Sequence, residues 1–429
     1  MAFKARVLLP AGLLAAAIVG TACVPPTNPP PTTSTTTTTL PGTTTTTTTT
    51  QPPAGCPAAG VDGTPGPNGP NAVASWGVNG TGYTALVLGD VVYVGGSFTQ
   101  AVKAGQTKPH TNLAAFCVAN GSLLDTFKAD TNGLVRALTT DGTSIFAGGA
   151  FTNVNGQATG RLVKLDALTG AVDAGFTPPP IPDVVYALGY RAANTSVYAG
   201  GDFDIAGAGF KKGANFDATT GAKGTWNINA DARIESLEIS PDESKVFIGG
   251  SFEMVGGFAH NDLARTDAMT GAPDAVVFSR DNAPGGGHID GRVFSIAVGT
   301  DNLTPYVAIG PSKVSVVPPG TSGGGNKFVA YDPASGNALW EENGPDGDAQ
   351  AIELISGTLY GGFHGGWNGD PAKRLEGLNL SGNTTGFAPN TNGLKGVFGL
   401  AQGGNRLVAV GDFTSMGTTN NLHGLAIFN

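Results

Sequence analysis

The chain has 429 residues, 67 of them glycine, with a charged fraction of 13% and a formal net charge of −9. Soluble domains usually contain about 25% charged residues and about 7% glycine, so this composition favours many short strands joined by tight turns. The acidic balance and the lack of clustered lysine and arginine argue against a nucleic-acid-binding surface.

The N-terminus has the pattern of an export signal. Two basic residues precede an apolar run over 7–19, and small residues then precede Cys23. This predicts a signal peptide over 1–22, because the apolar run is too short to span a membrane. A cysteine after small residues resembles the bacterial lipobox, in which the cysteine is lipidated, although Gly20 stands where lipoboxes usually have an aliphatic residue. We expect a lipid anchor at Cys23, with ordinary cleavage as the alternative.

Residues 23–54 are almost entirely threonine and proline. Such a segment has too little apolar surface to fold, and proline with β-branched threonine keeps it extended. We therefore predict a disordered stalk, of a composition that is also typical of O-glycosylated stalks. The expected location is the bacterial cell surface, either anchored to the membrane or secreted.

Two cysteines remain, Cys56 and Cys117. An even pair in an exported protein predicts a disulfide. It would join the lead-in segment 55–71 to the folded region 72–429. Two unpaired thiols are the alternative.

A strand that ends in two glycines recurs through the chain. Its first copy, residues 91–99, reads VVYVGGSFT, and the other copies lie at 145–152, 197–203, 246–252, 306–310, 359–363 and 407–414. A period of about 50 residues is typical of propellers and solenoids.

Each repeat reads as four short strands. The third strand exits through an Asp-x-x-Thr-Gly turn, in which the aspartate is expected to form the turn. Each first strand carries a bulky residue followed two positions later by a small one: Tyr83/Ala85, Val135/Ala137, Val185/Ala187, Ile234/Ser236, Val293/Ser295 and Val397/Gly399. The glycine pair is expected to let neighbouring blades approach. The fold prediction is an all-β, seven-bladed β-propeller of four-stranded blades, closed by the N-terminal strand around Trp76, which would complete the last blade.

In such a fold, the loops from each fourth strand to the next first strand surround one mouth of the central channel, and concave polar mouths are the default binding site. The candidate ligand-binding residues in these loops are Asp130, Asn132, Asp231, Arg233, Asp290, Arg292, Asp348 and Asn392. Carboxylates and amides of this kind would suit Ca²⁺, whereas the competing interpretation is that these residue types simply form loops. No zinc motif, nucleophile elbow or phosphate loop is visible, so no catalytic residue is assigned.

The repeat motif, Val-Tyr-x-Gly-Gly-x-Phe-Thr followed by Leu-x-x-Leu-Asp-x-x-Thr-Gly, resembles the delta-60 repeat β-propellers of bacterial surface and secreted proteins. The resemblance covers about residues 76–429 and implies a propeller in an extracellular setting without a settled activity. A shorter segment, residues 331–340 (YDPASGNALW), is similar to the blade-locking repeat of quinoprotein and outer-membrane-assembly propellers.

The sequence favours a monomeric surface protein that binds an extracellular glycan or protein and is not an enzyme. One alternative is an exported enzyme, either a quinoprotein-like dehydrogenase or a lyase or hydrolase of polysaccharides. Acids such as Asp231, Asp290 or Asp348 would then act at the channel mouth. A structural role in envelope assembly is the third hypothesis, because a fold does not fix a function.

Overall fold

The computed structural model describes residues 34–40, 43–49, 56, 71–73, 76–205, 209–279, 291–310 and 326–428. The predicted signal peptide, Cys23 and Asp290 lie outside these residues. The chain divides into two compact units, residues 1–51 and residues 52–429. Within the described part of the chain, no helix is both long and apolar enough to cross a membrane.

The first unit contains two strands in the threonine runs, β1 (Ser34–Leu40) and β2 (Thr43–Thr49), which pair antiparallel. The sequence prediction for 23–54 is a disordered stalk, and the strand geometry of the threonine runs agrees with the strand preference of β-branched threonine. A two-stranded hairpin is at best marginally stable in water, so this segment remains a weak folding unit.

The second unit is built almost entirely of strands, and its described residues contain a single 3-10 helix, Ala192–Asn194. The strands are β3 Gly77–Val78, β4 Thr81–Leu88, β5 Val91–Ser97, β6 Gln100–Lys103, β7 Gln106–Pro109, β8 Leu113–Cys117, β9 Val135–Thr140, β10 Ser144–Gly149, β11 Asn153–Val154, β12 Gln157–Ala158, β13 Leu162–Asp166, β14 Val185–Arg191, β15 Ser196–Ile205, β16 Phe210–Asp217, β17 Ile234–Ile239, β18 Lys245–Gly250, β19 Met254–Val255, β20 Phe258–Ala259, β21 Leu263–Asp267, β22 Val293–Val298, β23 Pro305–Ile309, β24 Lys327–Tyr331, β25 Ala338–Glu342, β26 Ala349–Ile355, β27 Thr358–Phe363, β28 Leu375–Asn379, β29 Val397–Gly403, β30 Arg406–Gly411, β31 Ser415–Met416, β32 Thr419–Asn420 and β33 Leu425–Phe428. The second unit is therefore all-β.

Seven antiparallel sheets in the described residues follow the sequence repeat, and we call them repeat sheets 1 to 7. In chain order they are β4-β5-β8, β9-β10-β13, β14-β15-β16, β17-β18-β21, β22-β23-β24-β25, β26-β27-β28 and β29-β30-β33. In each of them the glycine-pair strand, or its counterpart, lies in the middle beside the first strand. The repeat period read from the sequence thus corresponds to one sheet.

The fourth strand is shorter than predicted. Within the described ranges, repeat sheet 5 alone has a regular fourth strand, β25, and five other sheets have one isolated bridge in its place, such as Leu165 with Val172. The reason is a second turn directly after the bridge, where the Asp173 carboxylate accepts a hydrogen bond from the Gly175 amide (2.8 Å). This turn delivers the aromatic marker Phe176 into the core.

The Asp-x-x-Thr-Gly turn has the role predicted for it. In repeat sheet 2 the Asp166 carboxylate accepts hydrogen bonds from the amides of Leu168 (3.1 Å) and Thr169 (2.8 Å) and from the Thr169 hydroxyl (2.7 Å). Asp217, Asp267 and Asp332 make the same bonds in their own repeats. These aspartates are turn formers.

The glycine pair allows neighbouring sheets to pack closely, as predicted. A β-carbon on Gly200, the first glycine of its pair, would come within 2.6 Å of Cγ2 of Ile234 in the next repeat sheet. The same close approach joins four more pairs: Gly95 with Val135, Gly148 with Val185, Gly249 with Val293 and Gly362 with Val397. Gly201, which follows Gly200, faces backbone instead, since a β-carbon on it would lie 2.2 Å from the Val184 carbonyl oxygen.

Repeat sheets 7 and 1 also pack through a glycine and a branched residue, but here the two residue types stand in the opposite sheets. Val410 pairs with Gly399 at the register position where Gly200 pairs with Ala187. Val410 faces Gly82 in repeat sheet 1, and a β-carbon on Gly82 would lie 2.9 Å from Cβ of Val410. The branched residue is therefore in the last repeat and the glycine is in the first.

The start of the second unit lies against its end. The Val73 amide donates a hydrogen bond to the Ile427 carbonyl in β33 (2.8 Å), and the Thr419 hydroxyl donates to the Ala72 carbonyl (2.7 Å). The regular pairing nearby is made by β3, which pairs with β6 of the first repeat. The sequence predicts that the strand around Trp76 completes the last blade. Val73 contacts β33 of the last repeat, whereas the Trp76 amide donates to the Gly121 carbonyl (3.0 Å) of the first repeat.

The predicted disulfide is confirmed: Cys56 and Cys117 are bonded, with their Cα atoms 5.3 Å apart. Cys117 is the last residue of β8 and is buried in the same hydrophobic cluster as Cys56. The two cysteines are 61 residues apart in sequence, and closing a loop of this length is worth about 4 kcal/mol on a chain-entropy model. The bond fixes the entering chain to repeat sheet 1.

Candidate functional site

A cavity of about 650 Å³ opens among the first strands of the seven repeat sheets. It has residues of β4, β9, β14, β17, β22, β26 and β29 in its wall. A second cavity, of about 500 Å³, shares Glu238 and Glu353 with it, so the two meet in the interior. We call the larger one the mouth cavity.

Each first strand has a β-bulge at the same register position. In β14, for example, Val185 pairs with Gly201 and Ala187 with Gly200, which leaves Tyr186 without a partner across the sheet. A bulge redirects the side chain of its extra residue, and here all seven bulge residues line the mouth cavity. They are Tyr83, Arg136, Tyr186, Glu235, Phe294, Gln350 and Phe398.

Arg136 lies between two tyrosine rings. Its guanidinium carbon is 4.4 Å from the ring centroid of Tyr83 and 5.4 Å from that of Tyr186. Cation–π attraction of this kind holds an arginine in place and leaves the hydrogen-bonding edge of the guanidinium open. Its Nε is buried and has no hydrogen-bond partner among the residues that the structure describes. Because Nε is buried, a ligand in the mouth cavity would reach the terminal nitrogens of Arg136.

Arg233 extends this stack and is held by acids. Its guanidinium carbon lies 4.6 Å from the Tyr186 ring centroid. Its Nη2 and Nε donate to the Asp202 carboxylate at 2.8 and 3.1 Å, and its Nη1 donates to Glu235 at 3.3 Å. Burial is the largest single influence on both groups and opposes both shifts. Even so, Arg233 and Lys212 hold the pKa of Asp202 below its ordinary value, and Asp202 and Glu235 hold the pKa of Arg233 above its ordinary value. Arg233 is a neutralised part of the wall, in contrast to Arg136.

The part of the wall that continues from Tyr83 is aromatic and polar. Tyr83 and Phe398 meet edge to face with their centroids 5.2 Å apart. The Gln350 amide, in the orientation that satisfies both of its ends, donates to the carbonyls of Val397 (3.1 Å) and Lys395 (3.2 Å). These contacts fix the bulge side chains, so much of the wall is already formed without a ligand.

The described lining of the mouth cavity includes four cations, Arg136, Arg233, Arg292 and Lys395, and four carboxyl groups, Glu235, Glu238, Asp348 and Glu353. The raised pKa values of Glu238 and Glu353 reduce the negative charge that these two groups carry near neutral pH. The chain as a whole has a net charge of −9. The mouth cavity is therefore less acidic than the protein as a whole, which favours anions more than the rest of the surface does.

Two glutamates lie deeper, where the two cavities meet. The surrounding protein raises the pKa of Glu238 to about 7 by desolvation. Desolvation, together with the charge of Glu238, raises the pKa of Glu353 to about 8. The Glu238 side chain has accessible surface and lines both cavities, so that surface faces the interior of the cavities.

The structure brings together three of the eight candidate ligand-binding residues. Arg233, Arg292 and Asp348 all line the mouth cavity. Asp348 also holds the rim, because its carbonyl accepts the His364 amide (2.8 Å).

Four other candidates accept hydrogen bonds from backbone amides of a neighbouring segment of the chain. The Asn132 side-chain oxygen accepts the amides of Thr152 (2.8 Å) and Asn153 (3.0 Å). Asp231 and Asn392 make the equivalent bonds in their repeats. Asp130 accepts the Thr111 amide (2.6 Å). These side chains anchor loops, and they are not among the residues that line the mouth cavity.

The bulge residues were missed by sequence reasoning. One feature of the sequence could have identified them. The residue between the bulky and the small position of each first strand differs in type among the repeats, as Arg136 and Phe398 show, whereas its two neighbours keep their type. The sequence pattern also placed the first repeat one position too far along the chain. In β4 the two residues that pair across the sheet on either side of the bulge are Gly82 and Thr84, not Tyr83 and Ala85. Tyr83 is a bulge residue because the glycine beside it fills the core position.

The calcium prediction gains no support from the described part of the chain. No three His, Cys, Asp or Glu side chains come together there as a metal site would require. Asp290, the remaining candidate, lies outside the described residues.

A family model and a solved structure both indicate a β-propeller fold. Residues 144–176 match a family model described as a domain of unknown function (DUF5122) β-propeller. The WD40 β-propeller domain of Doa1 is similar with a TM-score of 0.54 and 10% identity, over 83% of this chain and 96% of that chain. The computationally designed Ika8 protein is similar with a TM-score of 0.49 and 12% identity, over 84% and 99%. No curated protein matches. The second unit is a β-propeller built from sequence repeats.

Replacing both Glu238 and Glu353 with glutamine should flatten the pH dependence of stability. The pKa is raised from 4.5 to about 7 for Glu238 and to about 8 for Glu353. Between pH 4.5 and these folded-state values, the folded protein therefore binds more protons than the unfolded chain. Their contribution to stability is then complete below pH 4.5 and is lost as the pH rises through the folded-state values. We expect the fall in melting temperature from pH 4.5 to 8 to be smaller in the double variant.

The exposed Glu253→Gln variant is the matched control. An unchanged pH slope in the double variant would contradict the assigned environment of the two carboxyl groups.

Proposed function

We propose that this protein is an exported, lipid-anchored cell-surface β-propeller that acts as a binding scaffold, with the mouth cavity as its site for a glycan or protein ligand. The observation that carries the proposal is the set of seven bulge residues, which project from seven different sheets into one cavity. A shared cavity with a few oriented polar groups among aromatic rings is the usual form of a ligand site.

The proposal includes seven blades in a closed ring. Two observations support it. First strands are in contact in the order β4, β9, β14, β17, β22, β26 and β29, and β29 is in contact with β4. The exchanged pair Gly82 and Val410 fits the last sheet to the first by the same close approach used elsewhere. Closure would leave no sheet edge open for aggregation.

Export and anchoring are supported by sequence. The apolar run before Cys23 and the threonine- and proline-rich segment after it are arranged as a signal, an anchor and a spacer. The Cys56–Cys117 disulfide fits an oxidising compartment, where such bonds persist.

Binding is favoured over catalysis by the chemistry of the mouth cavity. Arg136 is stacked on tyrosines and Arg233 is neutralised by Asp202, so these groups are suited to holding a ligand and not to moving protons. Glu238 and Glu353 favour a second candidate function, an exported polysaccharide-acting enzyme, because confined carboxyl groups with raised pKa values are suited to general acid catalysis.

Substituting Cys23 with alanine should abolish anchoring. Expression of the full chain in a bacterial host with labelled palmitate should label the wild type, and Cys23→Ala should lose the label and move to the medium. The lipidated sulfur is the only membrane attachment that the proposal invokes. Equal membrane retention of an unlabelled Cys23→Ala protein would contradict the anchor.

Replacing the bulge residue Phe398 with alanine should remove ligand binding. The mature protein and this variant would be applied to a mixed array of glycans and extracellular proteins. We expect a wild-type signal that falls at least tenfold in the variant, because an aromatic contact in a cavity wall is lost. The exposed Phe258→Ala variant is the control.

A wild-type signal that Phe398→Ala leaves intact would place the ligand elsewhere and contradict the proposal. Cleavage of a bound polysaccharide, lost in Glu238→Gln, would favour the enzyme instead.

A further inference from the structure

We propose that the ligand of the mouth cavity is an acidic glycan, and that Arg136 binds its carboxylate. This inference rests on the proposed binding function and specifies its ligand class. Arg136 is the bulge residue of β9, and the two tyrosines beside it are the bulge residues of β4 and β14. Three neighbouring repeat sheets thus build one anion-binding element.

The orientation of Arg136 is set before any ligand arrives. The ring centroids of Tyr83 and Tyr186 lie 4.4 and 5.4 Å from its guanidinium carbon, and the guanidinium carbon of Arg233 lies 4.6 Å from the Tyr186 centroid. An alternating Tyr-Arg-Tyr-Arg stack restricts the rotamers of a long side chain. A preorganised fork loses less freedom on binding, so each of its hydrogen bonds contributes more to affinity.

The ligand group that fits this fork is a carboxylate. Aromatic rings beside the guanidinium leave its in-plane N–H groups as the route for hydrogen bonding. Arginine binds a planar carboxylate with two parallel hydrogen bonds in that plane. Because the Nε of Arg136 is buried, the two terminal nitrogens of its guanidinium are the donors that would form such a pair.

The electrostatic setting supports an anion. Arg233 has Asp202 and Glu235 beside it, whereas no salt bridge joins Arg136 to a carboxylate in the described part of the chain. Lys395 and Arg292 add exposed positive charge at the rim. The rim would attract an acidic ligand, and Arg136 would then bind its carboxylate.

The remaining wall fits sugar rings. Tyr83, Tyr186, Phe294 and Phe398 are half-buried and line the cavity, so their rings are accessible from it. Aromatic rings offer flat apolar surface with low conformational entropy, and Glu235 and Gln350 lie between them as polar groups. A volume of about 650 Å³ accommodates a short oligosaccharide and falls within the usual range of ligand cavities. An apolar peptide anchor would leave these charged groups without partners.

The test measures calorimetric binding of the mature full-length protein to three probes. These are an oligogalacturonate, the same oligosaccharide with its carboxyl groups reduced to alcohols, and a sulfated neutral oligosaccharide. We expect the oligogalacturonate to bind, the reduced form to bind about 10- to 100-fold more weakly, and the sulfated form to bind less well than the carboxylate, because it lacks the planar fork partner.

Two variants assign the effect to Arg136. Arg136→Gln should weaken oligogalacturonate binding about 10- to 100-fold and leave the weak binding of the reduced form unchanged. Arg136→Lys keeps the charge and loses the fork, so its affinity should remain well below that of the wild type. Arg406→Gln is the control, because Arg406 lies at the end of the β29–β30 hairpin that is far from the bulge. Near-ultraviolet circular dichroism and melting temperature establish that each variant is folded.

Equal binding of the reduced and carboxylated forms would overturn the acidic-ligand inference. If Phe398→Ala then removed the binding of both forms, the proposed function of the mouth cavity would still be upheld. Wild-type affinity in Arg136→Gln would overturn the role of Arg136. Failure of all three probes would overturn the inference, while a protein ligand found on the mixed array would leave the proposed function standing.

Discussion

The close approach between a glycine in one sheet and a branched side chain in the next is the constraint on which the rest of the structure depends. A β-carbon on Gly200 would lie 2.6 Å from Ile234, so only glycine allows the two sheets to reach this spacing. Repetition of this contact brings the first strands together. Because interiors are packed at crystal-like density, a single added methyl group at such a contact would force sheets apart.

The site follows from this packing. When the bulky position of a first strand is fixed against the neighbouring glycine, the next residue is the bulge residue and faces the mouth cavity. The scaffold therefore presents seven side chains at one level without constraining their identity. Arginine and tyrosine occupy three adjacent positions and form a stack, and phenylalanine, glutamine and glutamate occupy the others. Function can change at these positions while the contacts that hold the sheets remain.

The sequence predicted the repeat, the glycine packing, the turn-forming aspartates and the disulfide, because each depends on residue types at short, regular spacing. It did not predict the bulge, because a register shift such as the one beside Tyr186 is a property of two paired strands. Asn132 and Arg136 illustrate the consequence for the site. Asn132 is polar and lies in a loop but binds backbone amides, whereas Arg136 lies within a strand and faces the cavity.

The most direct test of the account is a double-mutant cycle at the contact between the last and first repeat sheets. Gly82→Val and Val410→Gly each disturb this contact, and each should lower the free energy of unfolding by about 1–3 kcal/mol through overpacking or a cavity. The combined variant restores the arrangement of Gly148 and Val185, which serve as the reference pair. If the last sheet packs on the first, the two substitutions should compensate by at least about 0.5 kcal/mol in urea unfolding. Strictly additive losses would contradict the packing between the two ends of the repeat array.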